Sequence, residues 1–373
     1  MKYYLIAGEA SGDMHGAHLM EAIKAVDPEA DFRYWGGDLM HQQGGTLVKH
    51  YKDHAVMGFV DVIKNLKTIR ANFRLCREDL QKHWPDAVIF IDYSGFNLRM
   101  AKFAKTIGLR TFYYVAPQVW AWRKYRIKSI KKYLDRVFAI FPFEISFYQQ
   151  HNYPVDYVGN PLVDIIAEKQ QSLPDYTAFI RKNNLPDRPI IALLPGSRKQ
   201  EIRDMLPIML STTEKFKEYQ YVIAGAPSLD RAFYEPFTEE KPAEIVFAQT
   251  YALLKNASAA LVTSGTATLE TALFGIPQVV CYKMGGFSYQ ILKQLIKIKY
   301  ISLVNLIMDR EVVKELIQDA LTEENLTAQL NLLLKNTSHR QNMLNAYKEM
   351  VIRLGEGGAA QKAARLMYDT LKS

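Results

Sequence analysis

Along most of this chain, short apolar runs of strand length alternate with amphipathic stretches of helix length. That alternation constrains the fold more than any single motif. In the first half the runs are KYYLIA (2–7), FRYWG (32–36), AVIFI (87–91), TFYYV (111–115) and RVFAIF (136–141). In the second half they are IIALL (190–194), YVIAG (221–225), IVFA (245–248), AALVT (259–263) and QVVCY (278–282). Helix-length segments lie between them, among them 14–25, 66–83, 97–107, 200–218 and 266–274. Such an order predicts parallel sheets covered by helices on both faces. Two sets of about five strands suit two doubly wound, Rossmann-like α/β domains better than one long sheet.

The length, 373 residues, also fits two domains of about 150 residues each. The boundary is expected between VGNPLVD (158–164) and the polar EKQQSLPDYTAF (168–179), giving domains at 1–165 and 166–350. After about residue 310 the sequence turns helical and polar, and GEGG (355–358) breaks the chain before a last helix over 359–371. The terminal segment 351–373 is expected to pack back on the first domain or on a partner chain. No window holds the roughly 18 uninterrupted apolar residues of a membrane span. The opening MKYYLIAGEASGD is too short an apolar run for a signal sequence and enters a strand–turn pattern. Cys76 and Cys281 make no disulfide framework and fit a reducing cytoplasm. A net charge of +8 admits nucleic acid, an anionic membrane surface or acidic small molecules as partners.

SGTATLETALFG (264–275) follows one strand-like run and precedes another. The start of a helix leaves backbone N–H groups unpaired, and the helix dipole adds positive potential there. Ser264, Gly265 and Thr266 are small enough to let a phosphate approach that backbone. Glu270, about one turn further, can accept hydrogen bonds from ribose hydroxyls. RPIIALLPGSRKQEI (188–202) repeats the device. Its turn, Pro195, Gly196 and Ser197, ends at Arg198, whose guanidinium can grip a diphosphate in bidentate fashion. Neither segment is a Walker loop or a G-x-G-x-x-G fingerprint. The pair points to a nucleoside diphosphate held without either motif, although an ordinary capped βα turn answers to each pattern alone.

The first half carries loops of a different character. In IAGEASGD (6–13), Ser11 and Gly12 can hold a phosphate or a sugar hydroxyl, while Glu9 and Asp13 favour hydroxyl recognition. In IDYSGFN (91–97), Asp92 stands at the carboxyl end of a buried strand, where a carboxylate is costly unless paired, hydrated or used in chemistry. Asp92 is the first candidate for a general base, with a cap on a helix starting near Asn97 as the alternative. VAPQVWAWRKYR (115–126) sets Gln118, Trp120, Trp122 and Arg123 beside a basic helix, a pattern that core packing also explains.

Residues 59–77 place Lys64, Lys67, Arg70, Arg74 and Arg77 along one helical stripe. Val62, Ile63, Leu66 and Ile69 are among its apolar residues. Cationic amphipathic helices of this kind lie in anionic membrane interfaces; a helix packed on its own sheet fits the pattern equally. The histidines show no metal-ligand spacing, and no G-x-S-x-G elbow is present.

Taken together, IAGEASGD, IDYSGFN, VAPQVWAWR, FPFE (141–144), LLPGSR, SGTATLE and SLVNL (302–306) stand in the order found in lipid-A-disaccharide synthases. The resemblance runs from about residue 3 to 320. It implies a GT-B glycosyltransferase, two Rossmann-like domains facing a cleft, joining UDP-2,3-diacylglucosamine to 2,3-diacylglucosamine 1-phosphate in lipid A (lipopolysaccharide) biosynthesis. By position it implies Asp92 as catalytic base, Arg198 at the diphosphate, Glu270 at the ribose and Asn305 as a required asparagine. Gln118 and Asn305 join Glu9, Ser11, Gly12 and Asp13 as expected sugar-side residues. No cofactor and no metal are expected. Expected partners are the UDP-diacylglucosamine donor, the acylated sugar phosphate acceptor and an anionic membrane surface, not nucleic acid; a homodimer is left open. The expected place is the cytoplasm, peripheral on the inner membrane's cytoplasmic face. Gly95, Asn160 and Val304 depart from the family's usual residues on the acceptor side. A UDP-sugar epimerase of similar fold and a basic nucleic-acid-binding protein are the competing functions.

Overall fold

The computed structural model describes residues 1–53, 66–117, 119, 124–284, 299–355 and 357–373. The chain forms two units, Met1–Pro161 with Gly357–Ser373, and Leu162–Glu356. The sequence set the boundary at 165/166 and detached everything from 351 onward. In the structure the first crossing falls at the start of the helix Pro161–Ser172, and residues through Leu354 stay in the second unit's helix Thr337–Leu354.

The first unit holds a seven-stranded sheet in the order β3-β2-β1-β4-β5-β6-β7. Its strands are β1 (Lys2–Ala7), β2 (Asp31–Gly36), β3 (Thr46–His50), β4 (Ala87–Ile91), β5 (Arg110–Tyr114), β6 (Arg136–Ala139) and β7 (Asp156–Tyr157). All neighbours pair in parallel. The central β4 is wholly buried from Ala87 to Ile91, which is why it reads as an unbroken apolar run. The terminal helix Ala359–Lys372 packs on the helix Ala10–Val26 of the same unit. Its Ala359, Ala360, Ala363, Ala364 and Met367 are buried, and Arg136 donates to Thr370 Oγ1 at 2.6 Å.

The second unit holds six parallel strands in the order β10-β9-β8-β11-β12-β13. These are β8 (Ile190–Leu194), β9 (Gln220–Gly225), β10 (Ala243–Phe247), β11 (Ala257–Thr263), β12 (Gln278–Tyr282) and β13 (Lys314–Ile317). Both sheets are therefore doubly wound, and strand order reverses between β1 and β4 in one and between β8 and β11 in the other. Ligands of open α/β sheets bind beyond the carboxyl ends of the strands at that reversal.

Three strands escape the sequence pattern: β3, β7 and β13. All are edge strands of polar composition and partial burial, so no apolar run announces them. β13 also corrects the expectation that the chain is helical beyond residue 310. Two helices begin earlier than expected, at Ala10 and at Ser94, and the helix from Lys199 stops at Leu210.

The basic helix is described from Leu66 to His83. Val62, Ile63 and Lys64 lie outside the described residues, as does the side chain of Leu66. Asn72, Cys76 and Leu80 are buried on one stripe, with Ile69 half-buried at its start. Over this length the apolar side faces the unit's own core, contrary to an outward apolar face, while Lys67 and Arg70 are exposed.

Candidate active site

Each sheet reversal gathers two of the loops singled out from sequence. In the first unit, β1 runs into Gly8 and Glu9 while its neighbour β4 runs into Asp92 and Tyr93. A Cβ on Gly8 would lie 2.3 Å from the Tyr93 ring, so only glycine admits that ring between the strand ends. Asp92 and Tyr93 both adopt left-handed backbone, φ 46° and 44°. Non-glycine residues in this region cost about 1–3 kcal/mol each and persist where their surroundings dictate it.

Here the surroundings are Asn97 and Tyr113. The buried Asn97 amide donates to the carbonyls of Ile6 (3.2 Å), Ile91 (3.2 Å) and Asp92 (2.9 Å), and the Tyr113 hydroxyl donates to the Asp92 carbonyl as well. The turn is thus nailed at its backbone, which leaves the half-buried Asp92 carboxyl oriented but not consumed. Burial raises its pKa to about 6, the negative charge of Glu9 adds to the rise, and a hydrogen bond from the Tyr93 N–H opposes it. Asp92 does not cap the following helix, whose N-cap is Tyr93. A carboxylate so poised can take a proton from a hydroxyl near neutral pH. Sequence reasoning missed Asn97 and Tyr113, because a strand residue and a helix residue meet here only through the sheet.

The neighbouring loop is largely structural. Asp13 is 2% exposed and accepts from the N–H groups of Gly37 (2.7 Å), Leu39 (3.0 Å) and Met40 (3.1 Å). It caps the helix Asp38–Gln42 instead of reading a sugar hydroxyl, which corrects the expectation for that residue. Gly12 is buried in the first turn of the helix from Ala10, where a Cβ would meet Ala7 Cβ at 3.2 Å; close packing explains it. Glu9 and Ser11 are exposed and accessible. Gln118, Trp120, Trp122 and Arg123 lie outside the described residues.

In the second unit, β8 and β11 are neighbours, and Pro195–Arg198 and Ser264–Thr266 follow them. Gly196 has φ +109°, and a Cβ there would lie 2.7 Å from Glu201 Oε2. That carboxylate matters. Glu201 accepts from the N–H groups of Ser197 (3.2 Å) and Arg198 (3.3 Å) and pairs with the Arg198 guanidinium at 3.1 Å. The backbone N–H groups expected from sequence to receive an anion thus converge at one turn, where an internal carboxylate accepts from them as a capping box. The Arg198 side chain is nevertheless 77% exposed, free to turn to a ligand.

At the second turn, Gly265 has φ +145° and open space where a Cβ would stand, and Gly265 and Thr266 are exposed. The N–H groups that open the helix Thr266–Leu273 are thus accessible. Ser264 donates to the Ile301 carbonyl at 2.9 Å, so its hydroxyl anchors a loop. Thr263, unforeseen from sequence, ends β11 with a buried hydroxyl that has no partner among the described residues. Glu270 accepts from the Tyr251 hydroxyl at 2.7 Å, and Lys169 lies 5.1 Å over the Tyr251 ring. Burial raises the Glu270 pKa, and the Tyr251 hydroxyl and the Lys169 charge pull it down.

Asn305 is placed otherwise than expected. It is fully buried; its amide donates to Val313 O and Glu315 Oε1 (2.9 Å each), and its oxygen accepts from Val312 N (2.7 Å) and Val313 N (3.0 Å). It touches no open surface, so its bonds serve the loop and not a sugar. Glu315, on the unpredicted β13, completes that knot by accepting from Ile301 N, Ser302 N and the Ser302 hydroxyl.

Relatives in sequence agree on one family. The family model described as lipid-A-disaccharide synthetase matches residues 3–368. A lipid-A-disaccharide synthase of Trichlorobacter lovleyi is 35% identical over 374 aligned residues, covering 99% of this chain and 97% of that protein. One of Coxiella burnetii is 36% identical, covering 99% and 98%. One of Syntrophotalea carbinolica is 37% identical, covering 98% and 94%. Among solved structures, a Methanocaldococcus jannaschii UDP-GlcNAc 2-epimerase in complex with UDP-GlcNAc and UDP aligns with a TM-score of 0.67 at 12% identity, covering 99% of this chain and 100% of that one. The glycotransferase of kitacinnamycin aligns at 0.65 and 12%, covering 99% of each. At such identities the structural likeness speaks for the fold, two Rossmann-like domains of the GT-B kind. Because the identity to the synthases extends along the full length of both chains, and not only through the loops, this chain is a glycosyltransferase and belongs to the lipid-A-disaccharide synthetase family.

Proposed function

We propose that the protein joins UDP-2,3-diacylglucosamine to 2,3-diacylglucosamine 1-phosphate, with inversion, to give a β-1,6-linked disaccharide 1-phosphate and UDP. The acceptor's 6-hydroxyl oxygen attacks C1 of the donor sugar while Asp92 takes its proton. The C1–oxygen bond breaks and its electron pair leaves with UDP. Negative charge grows on the departing diphosphate. Arg198 and the N–H groups at Gly196–Ser197 and Gly265–Thr266 are the groups suited to meet it. Glu270, braced by Tyr251, is suited to the ribose hydroxyls. Asn305 acts at a distance, by holding the 301–305 loop to which Ser264 is tied.

The observation that carries this reading is Asp92: a carboxyl at a sheet reversal, fixed through its backbone and raised to about 6. Exposed Lys67 and Arg70 favour a peripheral place on an anionic, cytoplasm-facing membrane surface, where such acylated substrates reside. None of the described helices is long and apolar enough to cross a membrane. The deciding assay measures UDP release with donor alone, acceptor alone and both. Release that requires both supports the transfer. Conversion of UDP-GlcNAc to its epimer without an acceptor would instead favour the epimerases that share the fold.

A further inference from the structure

A groove of about 1020 Å³ crosses the first unit between the 66–83 helix, the 94–106 helix and the segment 124–133. It is lined by Arg70, Arg74, Arg77, Arg99, Lys102 and Arg126, against the single carboxylate of Glu78. Glu78 pairs with Arg74 at 2.7 Å. The other five cations form no ion pair with any described carboxylate. Gathering like charges around one concavity is unfavourable unless an anion enters it.

The same groove is floored with apolar rings. The Arg77 guanidinium lies 5.2 Å over Phe103 and that of Arg99 5.7 Å over Phe73, so both planar cations rest on ring faces with their edges free to donate. Leu98 is buried beneath them and Tyr133 half-buried. A ligand that satisfies both surfaces is at once anionic and acylated. A nucleotide offers these rings one flat base but no chain to run along Phe73, Phe103 and Tyr133, and a flat membrane surface does not fill a concavity.

The groove also ends in a significant place. Ser94 and Gly95 line it, two and three residues beyond Asp92, and Arg126 donates to Ser94 Oγ at 2.8 Å. The donor's diphosphate has its own suited loops in the other unit. We infer that this groove holds the acceptor, an acylated sugar phosphate, with its phosphate among Arg99, Lys102 and Arg126 and an acyl chain along Phe73, Phe103 and Tyr133. The inference rests on the glycosyl-transfer reading above, and it makes these side chains acceptor-specificity residues.

The test uses the full-length protein, a short-chain diacylglucosamine 1-phosphate and its dephosphorylated analogue, by titration calorimetry and by turnover. Arg99→Gln with Arg126→Gln should weaken binding of the phosphorylated probe roughly tenfold or more, the scale of a lost charge-assisted hydrogen bond, and raise its KM alike. Binding of the dephosphorylated analogue and donor KM should not move. Lys102→Glu is a second variant that leaves every arginine in place, and Lys102 is exposed, so the fold tolerates it; the reversed charge should weaken the phosphorylated probe by electrostatic repulsion. Lysine at position 126, through Arg126→Lys, should restore part of the affinity. Unchanged probe affinity in both variants, with turnover intact, overturns the groove assignment and leaves the enzyme reading standing. Groove-dependent probe binding in a protein that releases no UDP from the two substrates overturns the enzyme reading and leaves the groove. Reduced binding to phosphatidylglycerol vesicles with unchanged probe affinity would make the groove a membrane contact and overturn the assignment.

Discussion

Asp92 shows how the backbone of a single residue sets what its side chain can do. Its carbonyl is held by Asn97 and Tyr113, and its carboxyl is raised to about 6 by burial and by Glu9. A base works ionised, so kcat/KM should climb as pH rises through about 6 and then level off. Removing the Glu9 charge removes a cause of the rise; Glu9→Gln should therefore shift that climb to lower pH. A pH–rate profile of the two proteins decides it, and an unmoved limb would exclude Glu9 from the tuning. Asp92→Asn should abolish the chemical step while UDP affinity stays, since the UDP-suited loops lie in the other unit. At the second cradle, Arg198→Ala should cost about 2.7–4 kcal/mol of transition-state stabilisation, the scale of one preorganised donor. Glu201 competes there with the ligand, so Glu201→Gln should tighten UDP about two- to fivefold, as befits an exposed ion pair. Calorimetry with UDP would show the gain; weaker binding would mean that the carboxylate's brace outweighs its competition.

At the scale of elements, the loop 301–305 is defined by a knot of buried hydrogen bonds around Asn305 and Glu315. Asn305→Ala would leave two N–H groups, a carbonyl and a carboxylate short of partners, at about 1–3 kcal/mol for each unsatisfied group. The expected outcome is a drop in thermal midpoint together with lost activity. A KM change at unaltered stability would instead restore the sugar contact that the sequence suggested. The resemblance marked Asn305 as required but carried no reason. The reason lies in β13, a strand whose half-buried KELI pattern does not announce itself. Helix starts are hidden for the same reason: Asp13 reads as a loop carboxylate until its three backbone donors, at the start of a helix 24 to 27 residues away, are seen.

On the scale of the whole molecule, the chain's end returns to its beginning. The helix Ala359–Lys372 belongs to the unit that opens with Met1, through buried alanines that let it lie close on the helix Ala10–Val26. Truncation after Leu354 should destabilise the first unit and leave UDP binding by the second intact. Separate unfolding transitions, followed with and without UDP, would report this; a loss of UDP binding would show the tail to serve the other unit.

Sequence alone determined the class of fold, because buried parallel strands must be apolar throughout and so stand out against amphipathic helices. It also marked the loops that the two sheet reversals bring together, since small residues and charges at strand ends are conspicuous in their own right. The tertiary structure decided what each charge does. Asp13 under a helix, Asn305 inside a loop and six arginine and lysine side chains around one groove are all outcomes of which elements lie side by side, whereas Glu201 reaches its turn from only three and four residues along the chain. A hydrogen bond's partner is set by spatial neighbours, and no periodicity in the chain encodes those directly.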